Sequence, residues 1–131
     1  MIERKRPKRL GVGDGHVTDC SGYTNCVSSI SRGYTGVDPL PIVGTEQQAW
    51  EAAVESAKEA PRTTVVTESD RYIHVERTLP VIPFVDDLEL ELIPGAGRIE
   101  VRSSSRIGTF DLFANRLRVW RLRKNYLRLV R

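Results

Sequence analysis

Histidine and cysteine are scarce in this chain, which has two of each among 131 residues. A structural zinc site has about four cysteine or histidine ligands, whereas His16, Cys20 and Cys26 supply three and lack the close spacing of a zinc finger. The other histidine, His74, lies in a predicted strand, where a packed or surface histidine is more common than a metal ligand. The sequence therefore predicts no metal site and gives no sign of a cofactor.

Long apolar runs are also absent. No stretch approaches the roughly 20 apolar residues of a membrane helix. Residues 1–9 are basic and are followed by the glycine-rich stretch GVGDG rather than by the apolar run of a secretory signal. We therefore predict a soluble, cytoplasmic protein that does not insert into membranes. With 40% apolar and 28% charged residues, the chain is globular in composition, and its length predicts a single domain over residues 10–131.

Acidic residues are missing from the C-terminal segment. Residues 115–131 hold six arginines and one lysine without an acid, and residues 1–9 hold five basic residues against one acid. Two basic ends therefore flank an acidic middle. This asymmetry is consistent with an anionic partner, either a nucleic acid or an acidic protein, although neutralisation of the middle by the C-terminal segment explains it equally well. Residues 1–9 are predicted to be a flexible tail.

Helical periodicity appears in two segments. Residues 1–44 show neither a helix nor a strand period and are predicted to be an irregular arm packed across the domain. A first helix is predicted from Thr45, which can form a capping box with Gln48, to the residue before Pro61. A second helix is predicted over residues 115–131 with Asn115 as its N-cap. We expect the arm to cover Trp120 on the basic side of this helix, with stacking on a nucleobase or binding to an acidic partner as the alternative.

Two hairpins are predicted between the helices. The segment RTTVVTESDRYIHVERT, residues 62–78, has two β-rich runs around a turn near Ser69 and Asp70. The segment FVDDLELELIPGAGRIEVRSSSR, residues 84–106, alternates apolar and charged residues on both sides of a turn at Gly95 and Ala96. Matching the apolar faces fixes the register of this second hairpin. Its predicted pairs are Leu92 with Ile99, Leu90 with Val101, Leu88 with Ser103, Glu89 with Arg102, Glu91 with Glu100 and Asp86 with Ser105.

This register separates two kinds of charged residue. Asp86 lies on the inward face at the rim of the apolar layer. Asp87, Glu89, Arg102 and Arg106 lie on the outward face, where we interpret them as a solvated ladder of ion pairs. The predicted fold is α+β, with a mainly antiparallel four-stranded sheet and both helices on one face.

Three segments together resemble the signature blocks of the family known as domain of unknown function 1499. They are RLGVGDGHVTDCSGYTNCVSS, PFVDDLELEL and IEVRSSSRIGTFDLFANRLRVWRLR, and the resemblance runs from about Leu10 to Leu127. It implies no settled activity. The family positions that it marks are Cys20, Asn25, Cys26, Val27, Ser28, Ser29, Phe84, Asp86, Asp87, Arg102, Ser103, Ser105, Arg106, Gly108, Asp111, Asn115, Arg116 and Arg118.

The loop around the cysteines is the first candidate site. Its marked residues are Cys20, Asn25, Cys26, Ser28 and Ser29. The spacing of the cysteines permits a disulfide, and it equally permits two separate buried thiols that are structural or redox-responsive. An enzyme would use the Cys26 thiol or the Ser28 hydroxyl as its nucleophile, assisted by Asp86 or His74.

The acidic and arginine residues form the second candidate site. We expect them to converge at one end of the sheet, where free guanidinium groups would bind a carboxylate or phosphate. If each arginine is saturated by an aspartate, the same residues form a structural clasp. The predicted function is a non-catalytic binding or accessory module for a small anionic ligand, with an enzyme or a nucleic-acid-binding module as alternatives. The candidate ligand-binding residues are Asp86, Asp87, Arg102, Ser103, Ser105, Arg106, Asp111, Asn115 and Arg116.

Overall fold

The chain forms two helices and six strands in the part that the computed structural model describes, which is residues 15–20, 25–78, 85–106 and 112–130, without the side chains of Leu112 and Phe113. The strands are β1 (Cys26–Ser28), β2 (Leu40–Pro41), β3 (Thr63–Glu68), β4 (Tyr72–Thr78), β5 (Val85–Ile93) and β6 (Arg98–Ser105). The helices are α1 (Glu46–Glu59) and α2 (Leu112–Leu129). The predicted tail at residues 1–9 and the marked residues Phe84, Gly108 and Asp111 lie outside the described residues.

The sheet has six strands, so the prediction of four was wrong. Its order is β1-β6-β5-β4-β3, and β2 also pairs with β6. The two strands that the sequence analysis missed, β1 and β2, are three and two residues long. Segments this short show no alternation, so pairing with the edge of β6 defines them rather than their own pattern. All the strand pairings are antiparallel.

The predicted register of the β5 and β6 hairpin is confirmed. The observed pairs include Leu92 with Ile99, Leu90 with Val101, Leu88 with Ser103, Glu89 with Arg102, Glu91 with Glu100 and Asp86 with Ser105. The like-charged pair of Glu91 and Glu100 is relieved from two sides. Arg98 Nε donates to Glu100 at 2.7 Å, and the backbone N–H of Val17 donates to Glu91 at 2.8 Å. The apolar match therefore decides the register, and hydrogen bonds from Arg98 and from the backbone of Val17 stabilise the two glutamates.

Local sequence signals explain the start of α1 but not that of α2. Thr45 Oγ1 accepts a hydrogen bond from Gln48 N at 3.0 Å and Thr45 N donates to Gln48 Oε1 at 3.1 Å, which confirms the capping box. The prediction of Asn115 as the N-cap of α2 was wrong, because the helix begins three residues earlier, at Leu112. Asn115 is buried and hydrogen-bonded to Ser103 at 2.8 Å, so its amide serves a strand instead of a helix end.

Both helices pack on the same face of the sheet, as predicted. The small side chains Ala49, Ala53 and Ala57 let α1 approach the strands closely, and Tyr126 anchors α2. None of the described helices has the length and apolar composition needed to cross a membrane. The core of this face consists of Val27, Leu40, Ala49, Trp50, Ala52, Ala53, Ala57, Ile73, Val75, Leu88, Leu90, Leu92, Ile99, Val101, Val119, Leu122 and Tyr126.

The opposite face of the sheet is buried as well, and this overturns the prediction of a solvated charge ladder. Glu89 is 1% exposed and Arg102 is 0% exposed. Residues 15–20 of the arm lie on this side, where Val17 bonds to Glu91 and Cys20 joins β1 through Cys26. Alternation identified the residues that point away from the helices, but it carried no information about a second covering layer.

Candidate functional site

A cavity of about 300 Å³ lies between the two helices and the sheet. Its apolar wall comes from α1, β4, β5 and α2, with Ala57, Val75, Leu88 and Leu122 as main contributors. A largely apolar concave site with a few polar groups is the usual form of a small-molecule site. The cavity therefore has the general character of a ligand pocket.

The polar lining of this cavity is mainly cationic. Three arginines, Arg77, Arg118 and Arg121, line it together with two acids, Asp86 and Glu59. Arg118 Nη2 lies 2.5 Å from Asp86 Oδ2, so this arginine is paired. Neither Arg77 nor Arg121 has a hydrogen bond or an ion pair within the described residues. The cavity thus presents two guanidinium groups, on half-buried Arg77 and exposed Arg121, that no acid among the described residues contacts directly.

Three buried polar atoms of the lining lack a hydrogen-bond partner in the part of the chain that the structure describes. They are Thr63 Oγ1, Arg77 Nε and Arg118 Nε. Buried polar atoms in folded proteins are nearly always hydrogen-bonded, so each exception requires an explanation. Their location at one cavity, with donors among them, is the pattern expected where a ligand or water completes the hydrogen bonding.

The positive charges of the cavity repel one another. Burial and the neighbouring guanidinium groups of Arg118 and Arg62 lower the pKa of Arg77, and Asp86 on the adjacent strand opposes this effect. Asp86 lies directly opposite Arg77 in the β4 and β5 pairing, yet it is bonded to Arg118. Binding of an anion would reduce the repulsion that Arg77 experiences.

A second polar cluster lies on the face covered by the arm. Arg102 Nη1 donates to Glu89 Oε1 at 3.2 Å, and the hydroxyl of Tyr72 donates to Glu89 Oε2. The other guanidinium nitrogens of Arg102, Nε and Nη2, are buried without a partner, as is the hydroxyl of Ser104. This ion pair is therefore enclosed but incompletely satisfied.

The same face carries a second group of paired charges. His74 Nε2 lies 2.7 Å from Asp87 Oδ1, and Arg106 contacts both Asp87 oxygens at 2.9 Å. Arg106 also donates to Glu76. His74, Glu76 and Asp87 bring three potential metal ligands within 4.8 Å of one another. Because Arg106 donates hydrogen bonds to both carboxylates, the cluster is an ion-pair network and gives no basis for assigning a metal.

Contacts within the network favour the charged forms of Asp87 and Arg106. Burial disfavours the charged form of Asp87, but hydrogen bonds from His74 and Arg106 and their charges hold the pKa of Asp87 below its ordinary value. Burial acts to lower the pKa of Arg106, whereas the contacts with Asp87 and Glu76 raise it. Of the residues predicted for a structural clasp, this network contains Asp87 and Arg106, which it joins to His74 and Glu76 of β4.

Cys20 and Cys26 form a disulfide, with their Cα atoms 5.7 Å apart. Both residues are buried, so the Cys26 thiolate required by the enzyme alternative is unavailable in this state. Ser28 donates to the carbonyl of Thr18 at 2.6 Å and accepts from the backbone N–H of Ile30. Its hydroxyl proton is directed to a backbone carbonyl, and this contact gives no support to Ser28 as a nucleophile.

A family model described as "Protein of unknown function (DUF1499)" matches residues 16–125. The chain belongs to the DUF1499 family. The match covers all six strands and both helices except for the end of α2, and it confirms the resemblance seen in the sequence. Comparison with curated proteins gives no match. Membership of DUF1499 therefore supplies no activity, and function has to be argued from the two polar sites.

The marked residues of this DUF1499 chain are divided between the two faces of the sheet. Asp86, Ser103, Ser105 and Asn115 lie on the helix side. Asp87, Arg102 and Arg106 lie on the arm side. The residues do converge at one end of the sheet, where β5 begins and β6 ends. Neighbouring residues of a strand point to opposite faces, however, so they do not line one pocket. Among the marked residues that the structure describes, Asp86 and Arg118 line the cavity.

Three further marked residues, Asn25, Ser29 and Arg116, fasten the arm to the sheet and to α2. Asn25 Nδ2 donates to the carbonyl of Ser105 at 2.6 Å, which fixes the start of β1. Ser29 Oγ donates to Glu100 at 2.7 Å beyond the end of β1. Arg116 Nη1 donates to the carbonyl of Gly36 at 3.1 Å. These contacts assign the three side chains a structural role.

The basic side of α2 is only partly covered. Arg123 contacts the carbonyls of Asp38 and Pro39, so the arm does reach this helix as predicted. Trp120 nevertheless remains 52% exposed, with the Lys124 ammonium 4.6 Å from the centre of its ring. The described part of the arm therefore does not cover Trp120, and residues 1–14 and 21–24 of the arm lie outside the described residues.

The polar residues of the cavity that sequence reasoning missed include Thr63, Arg77 and Arg121. A signal for Arg77 was present, because Ile73, Val75 and Arg77 alternate along β4 and the first two are in the core. Extending that alternation by one step places Arg77 on the helix side. No comparable signal existed for Thr63 or Arg121, since their place in the lining depends on how α1 and α2 meet.

Proposed function

We propose that this protein is a non-catalytic binding module whose cavity between the helices and the sheet holds a small anionic ligand. The observation that carries the proposal is the pair of arginines, Arg77 and Arg121, that line the cavity without a hydrogen bond or ion pair in the described part of the chain. Guanidinium groups bind carboxylates and phosphates through paired hydrogen bonds. An apolar surround strengthens such contacts by excluding water.

Asp86 has a positioning role in this proposal. It pairs with Arg118, which also donates to Asn115 Oδ1 at 2.9 Å and to Ser103 at 3.2 Å. These bonds hold Arg118 against the sheet and fix the cationic wall of the cavity. The predicted ligand pocket thus keeps Asp86 and gains Arg77, Arg118 and Arg121, whereas Arg102 and Arg106 have no part in it.

The test is a titration of the ¹⁵N-labelled chain with inorganic phosphate, acetate and longer carboxylates, followed by amide chemical shifts. We expect saturable shifts at amides of the cavity wall, such as those of Ala57 and Val75. Arg77→Ala and Arg121→Ala should each weaken binding by about tenfold or more, the effect of losing a charge-assisted hydrogen bond.

Arg71→Ala is the matched control, because Arg71 is exposed and lies outside the cavity. It removes the same charge from the protein and should leave the titration unchanged. Equal losses in the Arg71 and Arg77 variants would indicate nonspecific electrostatic attraction and contradict the proposal. Absence of saturable shifts with every anion would contradict it as well.

Nucleic-acid binding through α2 has weaker support. The exposed Trp120 and Lys124 favour it, since aromatic and basic side chains together bind single strands. However, Arg116 and Arg123 are occupied by arm carbonyls and Arg118 by Asp86. Binding to a single-stranded oligonucleotide that weakens steeply with salt and is lost in Trp120→Ala would favour this alternative.

The cellular compartment of the protein can be tested directly. The cytoplasmic location predicted from the sequence stays a prediction, and the disulfide between Cys20 and Cys26 argues for an oxidising environment because cytosolic disulfides are rare. Trapping free thiols in intact cells and measuring the mass of the protein would decide between them. Two alkylated cysteines would support the reducing compartment.

A further inference from the structure

We infer that the ligand of the cavity is an amphipathic monocarboxylate with a short apolar body. This inference rests on the proposed function and names the chemical class that the cavity accepts. Three features carry it: the charge of the lining, the apolar wall that faces the arginines, and the volume. Each one narrows the class of anion separately.

The charge of the lining selects an anion. Arg118 is paired with Asp86 and Glu59 with Arg128, so the positive charges of Arg77 and Arg121 remain without an acid in contact among the described residues. An anionic head group placed between them offsets this charge. The number of charges on the ligand is set by the apolar wall, which leaves no polar partner for a second charged group.

The ion pairs within the protein determine which charged side chains of the cavity remain for a ligand. Glu59 is bonded to Arg128 at 3.1 Å and lies at the exposed end of α1, whereas Asp86 is bonded to Arg118. Arg77 and Arg121 are left for the ligand. Two guanidinium groups suit a planar carboxylate, whose two oxygens accept hydrogen bonds from both.

The apolar wall requires an apolar body on the same molecule. Val75 and Leu88 lie opposite each other on β4 and β5, two residue pairs along from Arg77 and Asp86 and on the same face, and Leu122 covers them from α2. A second charge or an uncompensated polar group placed against these side chains would be desolvated without a partner. The head of the ligand therefore lies at the arginines and its apolar part extends toward Leu88.

The volume limits the length of the apolar part. The cavity holds about 300 Å³, and one water in the liquid occupies about 30 Å³, so the space fits about ten non-hydrogen atoms. A carboxylate with a medium-length alkyl chain or a single ring has this size. A long-chain fatty acid or a phospholipid does not fit within the cavity.

The test compares sodium octanoate with relatives that lack one feature each, using calorimetric titration of the full-length chain. Acetate lacks the apolar body of octanoate, and octanamide lacks its charge. Suberate carries a second carboxylate, and inorganic phosphate presents a phosphate group in place of the carboxylate. Octanoate should bind at least tenfold more tightly than octanamide, because the charge-assisted hydrogen bonds are lost in the amide. Chain extension from acetate should tighten binding about twofold to fourfold per methylene until the cavity is full.

Two variants locate the ligand. Arg77→Ala should reduce the affinity for octanoate at least tenfold while leaving the weaker octanamide binding unchanged. Ala60→Leu adds bulk at the half-buried lip of the cavity, and it should weaken octanoate binding more than acetate binding. Arg71→Ala remains the control for the removal of one positive charge. Circular dichroism spectra check that each variant is folded.

N-acetyl-leucine separates two sources of a carboxylate. Octanoate represents a free acid, whereas N-acetyl-leucine represents the C-terminus of a peptide and adds an amide for which Thr63 and Asn125 offer partners in the cavity wall. Tighter binding of octanoate assigns the site to free acids. Tighter binding of N-acetyl-leucine would overturn that assignment in favour of a peptide terminus.

The remaining outcomes distinguish the inference from the proposed function. If phosphate or suberate binds more tightly than octanoate and the binding depends on Arg77, the anion site stands and the monocarboxylate class is wrong. If octanamide equals octanoate, the cavity selects apolar molecules and the charge argument fails. If nothing binds in an Arg77-dependent manner, both the inference and the proposed function are overturned.

Discussion

The two faces of β5 show two ways to bury a strand. Leu88, Leu90 and Leu92 point toward α1 and α2 into an apolar core, whereas Asp87 and Glu89 point toward the arm into a network of buried charges. Both sets are almost fully removed from water. The helix face obtains its stability from apolar area, while the arm face must balance the desolvation of each charge by a partner.

The difference between the faces bears on where a ligand binds. On the arm face the carboxylates of Asp87 and Glu89 are bound to arginines, and Arg102 is enclosed. On the helix face the apolar core ends at a cavity in which Arg77 and Arg121 remain unpaired within the described residues. A ligand needs both a cavity and unsatisfied groups, and the helix face has both. On the arm face, nitrogen atoms of Arg102 also lack hydrogen-bond partners within the described residues, but ion pairs occupy the space around them.

Removing one charge from the arm face should produce the largest loss of stability. Glu89→Ala leaves the buried guanidinium of Arg102 without the carboxylate that it contacts, and the expected loss of unfolding free energy is about 3 to 5 kcal/mol. Leu90→Ala, the next residue on the opposite face, should cost about 2 to 5 kcal/mol by opening a cavity. Urea unfolding of both variants measures the two values.

The matched control is Lys58→Ala, which breaks an exposed ion pair with Glu68. It should change the unfolding free energy by less than about 1 kcal/mol. A Glu89→Ala variant no less stable than Lys58→Ala would show that the arm face opens to water in solution, and the comparison between two buried faces would fail.

Breaking the disulfide should have a smaller effect on the arm face. Replacing Cys20 and Cys26 with alanine removes a link across a sequence separation of six residues, which is worth about 2 kcal/mol by loop-closure entropy. Unfolding in the presence and absence of reductant provides the measurement. Reductant should destabilise the original chain and leave the double variant unaffected. Equal stability of the original chain under both conditions would mean that the link does not hold the arm.

The sequence predicted the helix face better than the arm face, for a physical reason. Leu90 and Val101 had to pair because a shift by one residue would expose the whole apolar set, so the register followed from alternation alone. Nothing in the local pattern of Glu89 distinguished an exposed position from one covered by residues 15–20. The covering layer depends on long-range contacts, such as that between Val17 and Glu91.

The candidate site was predictable only in part for the same reason. Asp86 was correctly placed at the inward rim, opposite Ser105. Arg102 was expected to join it, although alternation along β6 places Ser103, not Arg102, on the inward face. Arg121 joins the cavity through the packing of α2 against α1, which no period of either helix specifies.

Lowering the pH should weaken the arm face selectively. The pKa of Asp87 is lower in the folded chain than its ordinary value, so its contribution to stability is present above the unfolded pKa of about 4 and is lost as the pH falls through the folded value. Asp87→Asn should therefore flatten the decline of unfolding free energy between about pH 5 and pH 2. Leu90→Ala should lower the curve equally at each pH. Parallel curves for Asp87→Asn and the original chain would contradict this role of Asp87.

Replacing a whole group of charges on the arm face should have the smallest net effect on stability. The variant Tyr72→Phe, Glu89→Leu and Arg102→Met substitutes apolar side chains for the hydrogen-bonded trio, and such replacements are often neutral or stabilising because the cost of desolvation disappears. We expect the unfolding free energy to change by less than about 1 kcal/mol. Urea unfolding and near-ultraviolet circular dichroism of the same samples measure stability and uniqueness of packing. If stability is retained but the packing signal is lost, the charges specify how the arm sits on the sheet. A loss as large as that of Glu89→Ala alone would instead show that the network itself supplies net stability, and that the two faces of β5 hold the fold together to a similar extent.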